Sequence, residues 1–188
     1  MTKLNLGCGH RKLPKEDGWV NVDCEAICEP DIVFDIASGD WALYWERESI
    51  EEIVAAHVLE HIQSFKHVMQ ECYRVLVPEG NMTIVVPHHL SDDFWGDPTH
   101  VRAITINQML LLDQERNRMT IAKGWANTPL GIYWGVNFHL WGYHLELTEF
   151  WQEKRKAGLS DDALDHAIQS YHNVVKEVTL KLRKCPIL

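Results

Sequence analysis

The stretch that decides the fold is Lys3-Leu4-Asn5-Leu6-Gly7-Cys8-Gly9, a short apolar run that stops at two glycines. Glycine permits a tight turn and lets backbone N–H groups come close to a ligand. In open parallel sheets, ligands bind at the carboxyl ends of the strands. Gly-x-Gly also occurs in ordinary tight turns, so the pattern predicts a strand and a turn firmly, and a ligand only in the right context.

Short apolar runs follow this turn at intervals that suit one sheet. Strands are predicted over residues 3–6, Trp19–Asp23, 31–36, Ile50–Ala56 and 82–86. A helix is predicted over 65–76, because its apolar residues recur at helical spacing and Pro78 and Gly80 follow it. Strands that alternate with helices on short connections predict a parallel sheet with helices on both faces.

The second half of the chain has weaker patterns. Helices are predicted over 104–114, 148–157 and 160–171, a strand over 119–122, and alternation over 136–147. The alternating residues 174–182 predict a final, half-exposed strand at the sheet edge. At 188 residues the chain has the length of a single domain. We divide it into a ligand-binding half (1–88), a substrate-facing region (89–173) and the final edge strand (174–183).

Composition narrows the classes of partner. The formal net charge is −9, which disfavours nucleic acid because binding to phosphates needs a basic face. No apolar stretch approaches the length of a membrane span, and no signal peptide opens the sequence, so we expect a cytoplasmic protein without membrane association. The five cysteines are then expected to be reduced thiols.

The turn lacks the features of two common phosphate-binding motifs. The dinucleotide motif G-x-G-x-x-G requires a third glycine where Lys12 stands, and no Gly-Lys-Ser/Thr follows as in a P-loop. Asp23 ends the neighbouring predicted strand, where its carboxylate could accept hydrogen bonds from a ribose diol. The residues therefore disfavour NAD, FAD and a P-loop phosphate site, and leave the identity of the ligand open.

Four segments resemble, in order and spacing, the successive motifs of class I S-adenosylmethionine (SAM)-dependent methyltransferases, most closely the type 11 and type 12 branch. They are residues 4–9, 18–23, 56–61 and 74–80. The resemblance implies an α/β, Rossmann-like, doubly wound sheet of seven mostly parallel strands with an antiparallel last strand. It implies SAM as cofactor and S-adenosylhomocysteine as product. Family members place a helix before the first strand, and this sequence starts almost on the strand itself. We therefore expect a pocket that is more open, or one that a partner or the C-terminal half covers.

The resemblance also implies cofactor-binding roles for the matching positions. The glycine turn would contact the methionine part, the acid after the second strand the ribose, the third strand's end the adenine, and the residues after the fourth strand the sulfonium. The positions are Asn5, Gly7, Cys8, Gly9, Asp23, Asp35, Ile36, His57 and Val58. Asn5 stands where the family commonly has an acid, and it offers no charge to the cofactor's ammonium.

The segment after the fifth strand, residues 87–100, is expected to face the acceptor. Methyl transfer is a direct displacement that depends on orientation, with a base needed for a weakly nucleophilic acceptor. His100 or His89 is the predicted base, with Asp97 orienting the imidazole. The alternative is that Asp97-Pro98 starts a turn and a helix, and that the histidines form hydrogen bonds to the backbone. The spacing matches no metal motif, so no metal ligands are assigned.

Several acceptors are disfavoured. The chain lacks both the Pro-Pro-aromatic motif of enzymes that methylate DNA amino groups and the Pro-Cys nucleophile of cytosine C5 enzymes. A small molecule or another non-nucleic-acid acceptor is therefore expected. Tryptophans at 125, 134, 141 and 151 could line an acceptor pocket, or pack the sheet or the face of a homo-oligomer. A SAM-binding module without chemistry, and a different SAM-consuming reaction on the same fold, are the alternative functions.

Overall fold

A computed structural model describes residues 2–188, and its centre is one seven-stranded sheet in the order β3-β2-β1-β4-β5-β7-β6. The strands are β1 (Thr2–Leu6), β2 (Trp19–Asp23), β3 (Ile32–Val33), β4 (Ile50–Ala56), β5 (Leu76–Pro87), β6 (Phe138–Leu147) and β7 (Val175–Lys184). Strands β1 to β5 pair in parallel, and β7 runs antiparallel to both of its neighbours. The predicted fold class is confirmed.

The strand order reverses between β1 and β4. From β1 the chain moves outward through β2 to β3, and then returns to place β4 on the other side of β1. Leu6 pairs with Val22 on one side and with Ala55 on the other. The carboxyl ends of these strands therefore meet at a topological switch point, where open α/β sheets bind ligands.

The helices are short, apart from one that packs against the centre of the sheet. They are α1 (Phe65–Val75), α2 (Asp92–Trp95), α3 (Ile106–Leu110), α4 (Gln114–Ala122), α5 (Leu130–Trp134), α6 (Glu149–Lys156) and α7 (Asp161–Ser170). Helix α1 buries the apolar face predicted for it, including Phe65, Val68 and Met69. Predicted helices 148–157 and 160–171 are confirmed as α6 and α7.

Loops, not helices, join β1, β2 and β3, so the expected strand–helix alternation holds only in part. The connection after the glycine turn ends in a 3₁₀ turn over Lys15–Asp17. Its path is held by Asn21, whose amide accepts from Leu13 N at 2.8 Å and donates to Leu13 O at 3.0 Å. These side-chain hydrogen bonds satisfy the backbone N–H and C=O of Leu13, which would bond to other backbone groups if a helix joined the two strands. The third strand is also shorter than residues 31–36, because only two of its residues pair with β2.

The predicted strand over 119–122 is wrong, since these residues lie in α4. Asp113 caps that helix by accepting from Arg116 N at 3.0 Å, and Asn117 is buried on its inner side. The apolar side chains that suggested a strand, Met119 and Ile121, are exposed. The predicted helix over 104–114 is divided, with α3 ending at Leu110 and α4 starting at Gln114.

The final strand is not at the sheet edge. Strand β7 lies between β5 and β6, and Leu180 and Leu182 are fully buried. The alternation over 174–182 marks one buried and one partly solvated face, which a strand inside an antiparallel part of a sheet can also have. Strand β6 forms the edge on this side of the sheet. It spans Phe138–Leu147, within the residues 136–147 where alternation was noted.

Two further expectations concern cysteines and membranes. All five cysteines are unpaired thiols, as expected. Across residues 2–188, none of the helices combines the length and the apolar character that crossing a bilayer requires.

Candidate functional site

A cavity of about 320 Å³ opens at the carboxyl ends of β1, β2, β3 and β4. Its size lies at the lower end of the range usual for small-molecule sites. It is lined by Gly7, Gly9, Asp23, Cys24, Phe34, Asp35, Ile36, His57, Val58, His61 and Ile62. Seven of the nine predicted cofactor-binding positions thus lie around one cavity, at the switch point of the sheet.

The glycine turn shapes the floor of this cavity. Gly7 and Gly9 have φ angles of +62° and +49°, a left-handed conformation that glycine adopts at little cost. A Cβ at Gly7 would lie 2.5 Å from Val58 Cγ2, whereas one at Gly9 would meet nothing within 4 Å. Gly7 therefore allows the turn to pack on the residue after β4, and Gly9 keeps backbone open to the cavity.

Cys8 lies between these glycines but is buried, and it does not line the cavity. Its N–H donates to Val22 O at 3.0 Å, which extends the pairing between β1 and β2. Burial raises the pKa of its thiol, with Asp23 adding to the effect. The predicted contribution of Cys8 is therefore made through the shape of the turn.

Asp23 ties the glycine turn to the end of β2. Its Oδ2 accepts from Gly9 N at 2.8 Å, and its Oδ1 accepts from Glu25 N at 2.9 Å. Each carboxylate oxygen has a second lone pair and can accept another hydrogen bond. Asp23 can therefore hold the turn and bind a diol with the same group.

The end of β3 gives the cavity an apolar wall with an acid beside it. Phe34 and Ile36 are nearly buried, and Phe34 packs edge-on against Trp41 and Trp45. Asp35 closes a local turn, because Oδ1 accepts from Ala37 N at 2.8 Å. A planar, weakly polar ring is the ligand group that such a wall suits.

Asn5 is buried and does not line the cavity. Its amide donates to Asn21 Oδ1 at 2.9 Å and to Arg11 O at 3.0 Å. Asp31 Oδ2 completes this network by accepting from the Asn21 amide at 3.0 Å. The network fixes the loop after the glycine turn, so Asn5 contributes to the site by positioning that loop.

His57 stands where β4 leaves the sheet, with φ +55°, which is uncommon for a residue other than glycine. Its Nε2 lies 2.7 Å from Glu177 Oε2, and its Nδ1 lies 3.6 Å from Glu60 Oε1. The nearby carboxylates of Glu60 and, to a smaller extent, Glu177 raise the pKa of His57. Two carboxylates therefore balance the charge of this imidazole at the cavity wall.

The charge around the cavity is acidic. Asp23 and Asp35 line it, and neither lysine nor arginine is among the lining residues of the described chain. A pyrophosphate would find neither lysine nor arginine there, and the imidazole of His57 is already paired with two carboxylates. A ligand that carries positive charge and a diol would find the carboxylates of Asp23 and Asp35. This arrangement agrees with the absence of the dinucleotide motif.

His100 and Asp97 lie close together beside the cavity. Asp97 Oδ2 is 3.8 Å from His100 Nε2, too far for a hydrogen bond. Asp97 Oδ1 instead accepts from the Thr99 hydroxyl at 2.6 Å and from Thr99 N at 2.8 Å, and these bonds lower the pKa of Asp97. His100 Nδ1 donates to Phe94 O at 2.7 Å. The turn and backbone bonding expected as the alternative are both present.

His89 lies apart from that pair. Together with His88 it lines a separate cavity of about 420 Å³ between the end of β5, α3 and α7. The structure therefore does not place the two predicted bases, His89 and His100, at one cavity.

His88 supplies a prediction about pH and stability. It is only 7% exposed, and burial lowers its pKa from 6.5 to about 4. Between pH 6.5 and about 4, the imidazole of His88 is protonated in the unfolded chain but neutral in the folded chain. Its contribution to the free energy of unfolding is therefore fully present above pH 6.5. It should fall, by up to about 3 kcal/mol, as pH drops to about 4.

The measurement is urea unfolding from pH 7.5 to 4 of wild type and His88→Gln. We expect the difference between their unfolding free energies to shrink as pH falls through this window. The exposed His144→Gln variant should follow wild type throughout. Parallel curves for wild type and His88→Gln would show that His88 is not the group responsible.

Several residues that lie around the site were not predicted from the sequence. Phe34, Cys24, His61 and Ile62 line the cavity, and Glu177 reaches His57 from β7. Phe34 lies within the predicted strand 31–36 and the next three residues follow predicted strands, so their position along the chain was a usable signal. Glu177 is 120 residues from His57, and no local pattern links the two.

The tryptophans do not form an acceptor pocket at this cavity. None of Trp125, Trp134, Trp141 and Trp151 lines it. Trp125 and Trp141 are about half exposed, while Trp134 packs near Phe65. The structure therefore does not support an acceptor pocket of tryptophans at this cavity, and Trp134 alone of these three fits the packing interpretation.

The comparisons with known proteins agree with the fold. A family model described as a methyltransferase domain matches residues 19–84. A SAM-dependent methyltransferase from Archaeoglobus fulgidus is 15% identical, with a TM-score of 0.62 over 97% of this chain and 86% of that one. Phosphoethanolamine N-methyltransferase 2 of Haemonchus contortus, solved with SAM, is 14% identical, with a TM-score of 0.54 over 99% and 49% of the two chains.

A third solved structure is described by a different reaction. The [4+2]-cyclase SpnF is 15% identical, with a TM-score of 0.57 over 98% of this chain and 75% of that one. A search of curated protein sequences gives no match to this chain. The sheet order and these structural likenesses show that the chain has the class I SAM-dependent methyltransferase fold, and residues 19–84 within it match the methyltransferase domain model.

Proposed function

We propose that the chain is a SAM-dependent methyltransferase that acts on a small molecule or another non-nucleic-acid acceptor. The observation that carries the proposal is the cavity at the switch point. It joins a two-glycine turn, an acid proposed to bind the ribose and an apolar wall, and neither lysine nor arginine lines it among the described residues.

The cofactor's parts match the cavity from one end to the other. The apolar wall of Phe34 and Ile36 suits the adenine, and Asp23 suits the ribose hydroxyls. Gly9 leaves open backbone for the methionine part. The sulfonium would lie toward His57 and Val58, after β4, which is the direction of the segment 87–100.

The acidic lining supports SAM over a dinucleotide. SAM carries a sulfonium and an ammonium, and unlike charges at close range attract more strongly in a partly desolvated cavity than in water. The carboxylates of Asp23 and Asp35 supply the negative charge. When bound, SAM supplies an electrophilic methyl group, and the protein's task is to orient the acceptor in line with it.

The predicted catalytic residues lie at different places relative to the cofactor cavity. His100 and Asp97 lie beside His61, whose ring centroid is 4.6 Å from that of His100, and His61 lines the cofactor cavity. His89 would serve an acceptor bound in the second cavity. We therefore place acceptor binding on the side of His61 and His100, with His89 as the alternative.

A second candidate function is supported by one comparison. The [4+2]-cyclase SpnF shares the fold, so the fold alone does not specify methyl transfer. A SAM-consuming reaction without methylation, or binding without chemistry, would use the same cavity.

The test is incubation of the full chain with methyl-labelled SAM and a small-molecule extract, followed by separation of products. We expect label in a new small molecule, with S-adenosylhomocysteine formed in equal amount. His100→Ala should lower the rate at least about tenfold, a typical loss for a residue that assists proton transfer or positioning. Its SAM affinity should stay near that of wild type. Cofactor cleavage without a labelled acceptor would support the second function.

A further inference from the structure

Glu60 has an environment that the proposed function leaves unexplained. It follows β4 in a 3₁₀ turn over Leu59–His61 and is 1% exposed. Neither carboxylate oxygen accepts a hydrogen bond from the described residues. A buried carboxylate without such partners is costly, and native proteins usually pair it or bind it to a metal.

Three imidazoles face this carboxylate. His57 Nδ1 lies 3.6 Å from Glu60 Oε1, beyond hydrogen-bond distance, and its Nε2 is paired with Glu177; the other two imidazoles belong to His61 and His100. Suitable ligand atoms of Glu60, His61 and His100 all lie within 4.8 Å of one another, and His100 Nε2 is 4.0 Å from Glu60 Oε1. A carboxylate and two imidazoles form a ligand set that several divalent transition metal ions bind. Within residues 2–188, no other group of this kind was found.

The tautomer of each imidazole is fixed by its second nitrogen. His100 Nδ1 lies 2.7 Å from Phe94 O, and a carbonyl can only accept, so Nδ1 carries the proton. The Thr99 hydroxyl donates to Asp97 Oδ1 at 2.6 Å and therefore accepts from His61 Nδ1 at 2.8 Å. Both Nε2 atoms are left with a free lone pair. Histidines that bind metals show this pattern of outer hydrogen bonds.

We propose that Glu60, His61 and His100 bind one divalent transition metal ion of the Zn²⁺ type. The ion satisfies the buried carboxylate and takes the two free Nε2 lone pairs. Because three protein ligands leave a coordination position open, a further donor can complete the site. His61 also lines the first cavity, so the ion lies at its wall.

This site changes the role expected of His100. A general base needs the Nε2 lone pair that the metal occupies, so His100 acts here as a ligand. Asp97 then acts through Thr99 to orient His61, as a positioning residue. The inference rests on these contacts and not on the proposed methyl transfer.

The test uses the full chain, freed of metal with a chelator and returned to chelator-free buffer without SAM. Zn²⁺ is titrated by calorimetry, and Co²⁺ by visible ligand-field absorption. We expect one ion per chain, with Co²⁺ bands that indicate nitrogen and oxygen ligands. Glu60→Gln and His100→Ala should weaken binding at least about 100-fold, and Thr99→Val about tenfold, as for an outer partner.

The controls separate this site from surface binding and from loss of the fold. His144→Ala, on the exposed face of β6, should bind Zn²⁺ as wild type does. Glu60→Gln removes a buried charge, so its metal-free melting temperature should match or exceed that of metal-free wild type. Zn²⁺ should raise the melting temperature of wild type by several degrees and leave that of Glu60→Gln unchanged.

Two results would overturn the proposal: no stoichiometric binding by wild type, or equal affinity in wild type, Glu60→Gln and His100→Ala. SAM binding is measured separately in the presence of chelator. A failure of the metal site thus leaves the cofactor result intact, and a failure of SAM binding leaves the metal result intact.

Discussion

Gly7→Ala should lower the melting temperature by roughly 4–20 °C and abolish measurable SAM binding. Two costs combine at this position. An alanine at φ +62° costs about 1–2 kcal/mol, and its Cβ would lie 2.5 Å from Val58 Cγ2, an overlap that costs about 1–3 kcal/mol to relieve. For a chain of this length, each kcal/mol lowers the melting temperature by about 2–4 °C.

Gly9 provides a matched control inside the same turn. Its φ is also positive, but a Cβ there would meet nothing within 4 Å. Gly9→Ala should therefore show only the backbone cost, a loss of roughly 2–8 °C. Adding Val58→Ala to Gly7→Ala should recover part of the loss by removing the overlap. Equal losses at Gly7 and Gly9 would mean that contact with Val58 does not shape the turn.

Asp23→Ala should weaken SAM binding about 100-fold. The substitution removes the charged acceptor proposed for the ribose hydroxyls, and hydrogen bonds to a charged group contribute about 1.5–3 kcal/mol each. It also releases Gly9 N, which Asp23 holds at 2.8 Å. Asp23→Asn keeps one acceptor oxygen without the charge, so its affinity should fall between those of wild type and Asp23→Ala.

Calorimetric titration with SAM, together with thermal melting of each variant, measures this effect. The exposed Asp17→Asn, outside the cavity, is the control for a change of net charge and should bind SAM normally. If Asp23→Ala binds SAM as tightly as wild type, the ribose assignment is wrong. A lower melting temperature with unchanged affinity would give Asp23 a role in the turn alone.

The first half of the fold could be predicted because its signals are local. The strands ending at Leu6, Asp23 and Ala56 are apolar runs closed by glycine, acid or histidine, and α1 has a clear apolar face. Their order along the chain places their carboxyl ends together, and this locates the cavity. The lining residues then follow from position in the sequence.

The second half could not be predicted as well, because tertiary contacts outweigh its local patterns. Residues 119–122 have strand-like composition, yet the Asp113 cap and the buried Asn117 place them in a helix. The position of β7 depends on pairing with both β5 and β6, which alternation alone does not specify. Pairing across long separations is set by the whole sheet.

The group around Glu60 shows the same limit at the level of the site. Glu60 and His61 are adjacent, but His100 is 40 residues later in sequence, on the segment after β5. From the sequence we predicted that His100 lies near the acceptor, but not that its imidazole lies beside the carboxylate of Glu60. Burial of Glu60, and the hydrogen bonds that fix each tautomer, become visible only in three dimensions.

The central claim is that the cavity between the glycine turn and His57 binds SAM. Its most direct test is isothermal titration of the wild-type chain with SAM, in parallel with thermal melting. We expect saturable binding of one SAM per chain and a higher melting temperature at saturation. No heat of binding and no thermal shift at millimolar SAM would contradict it.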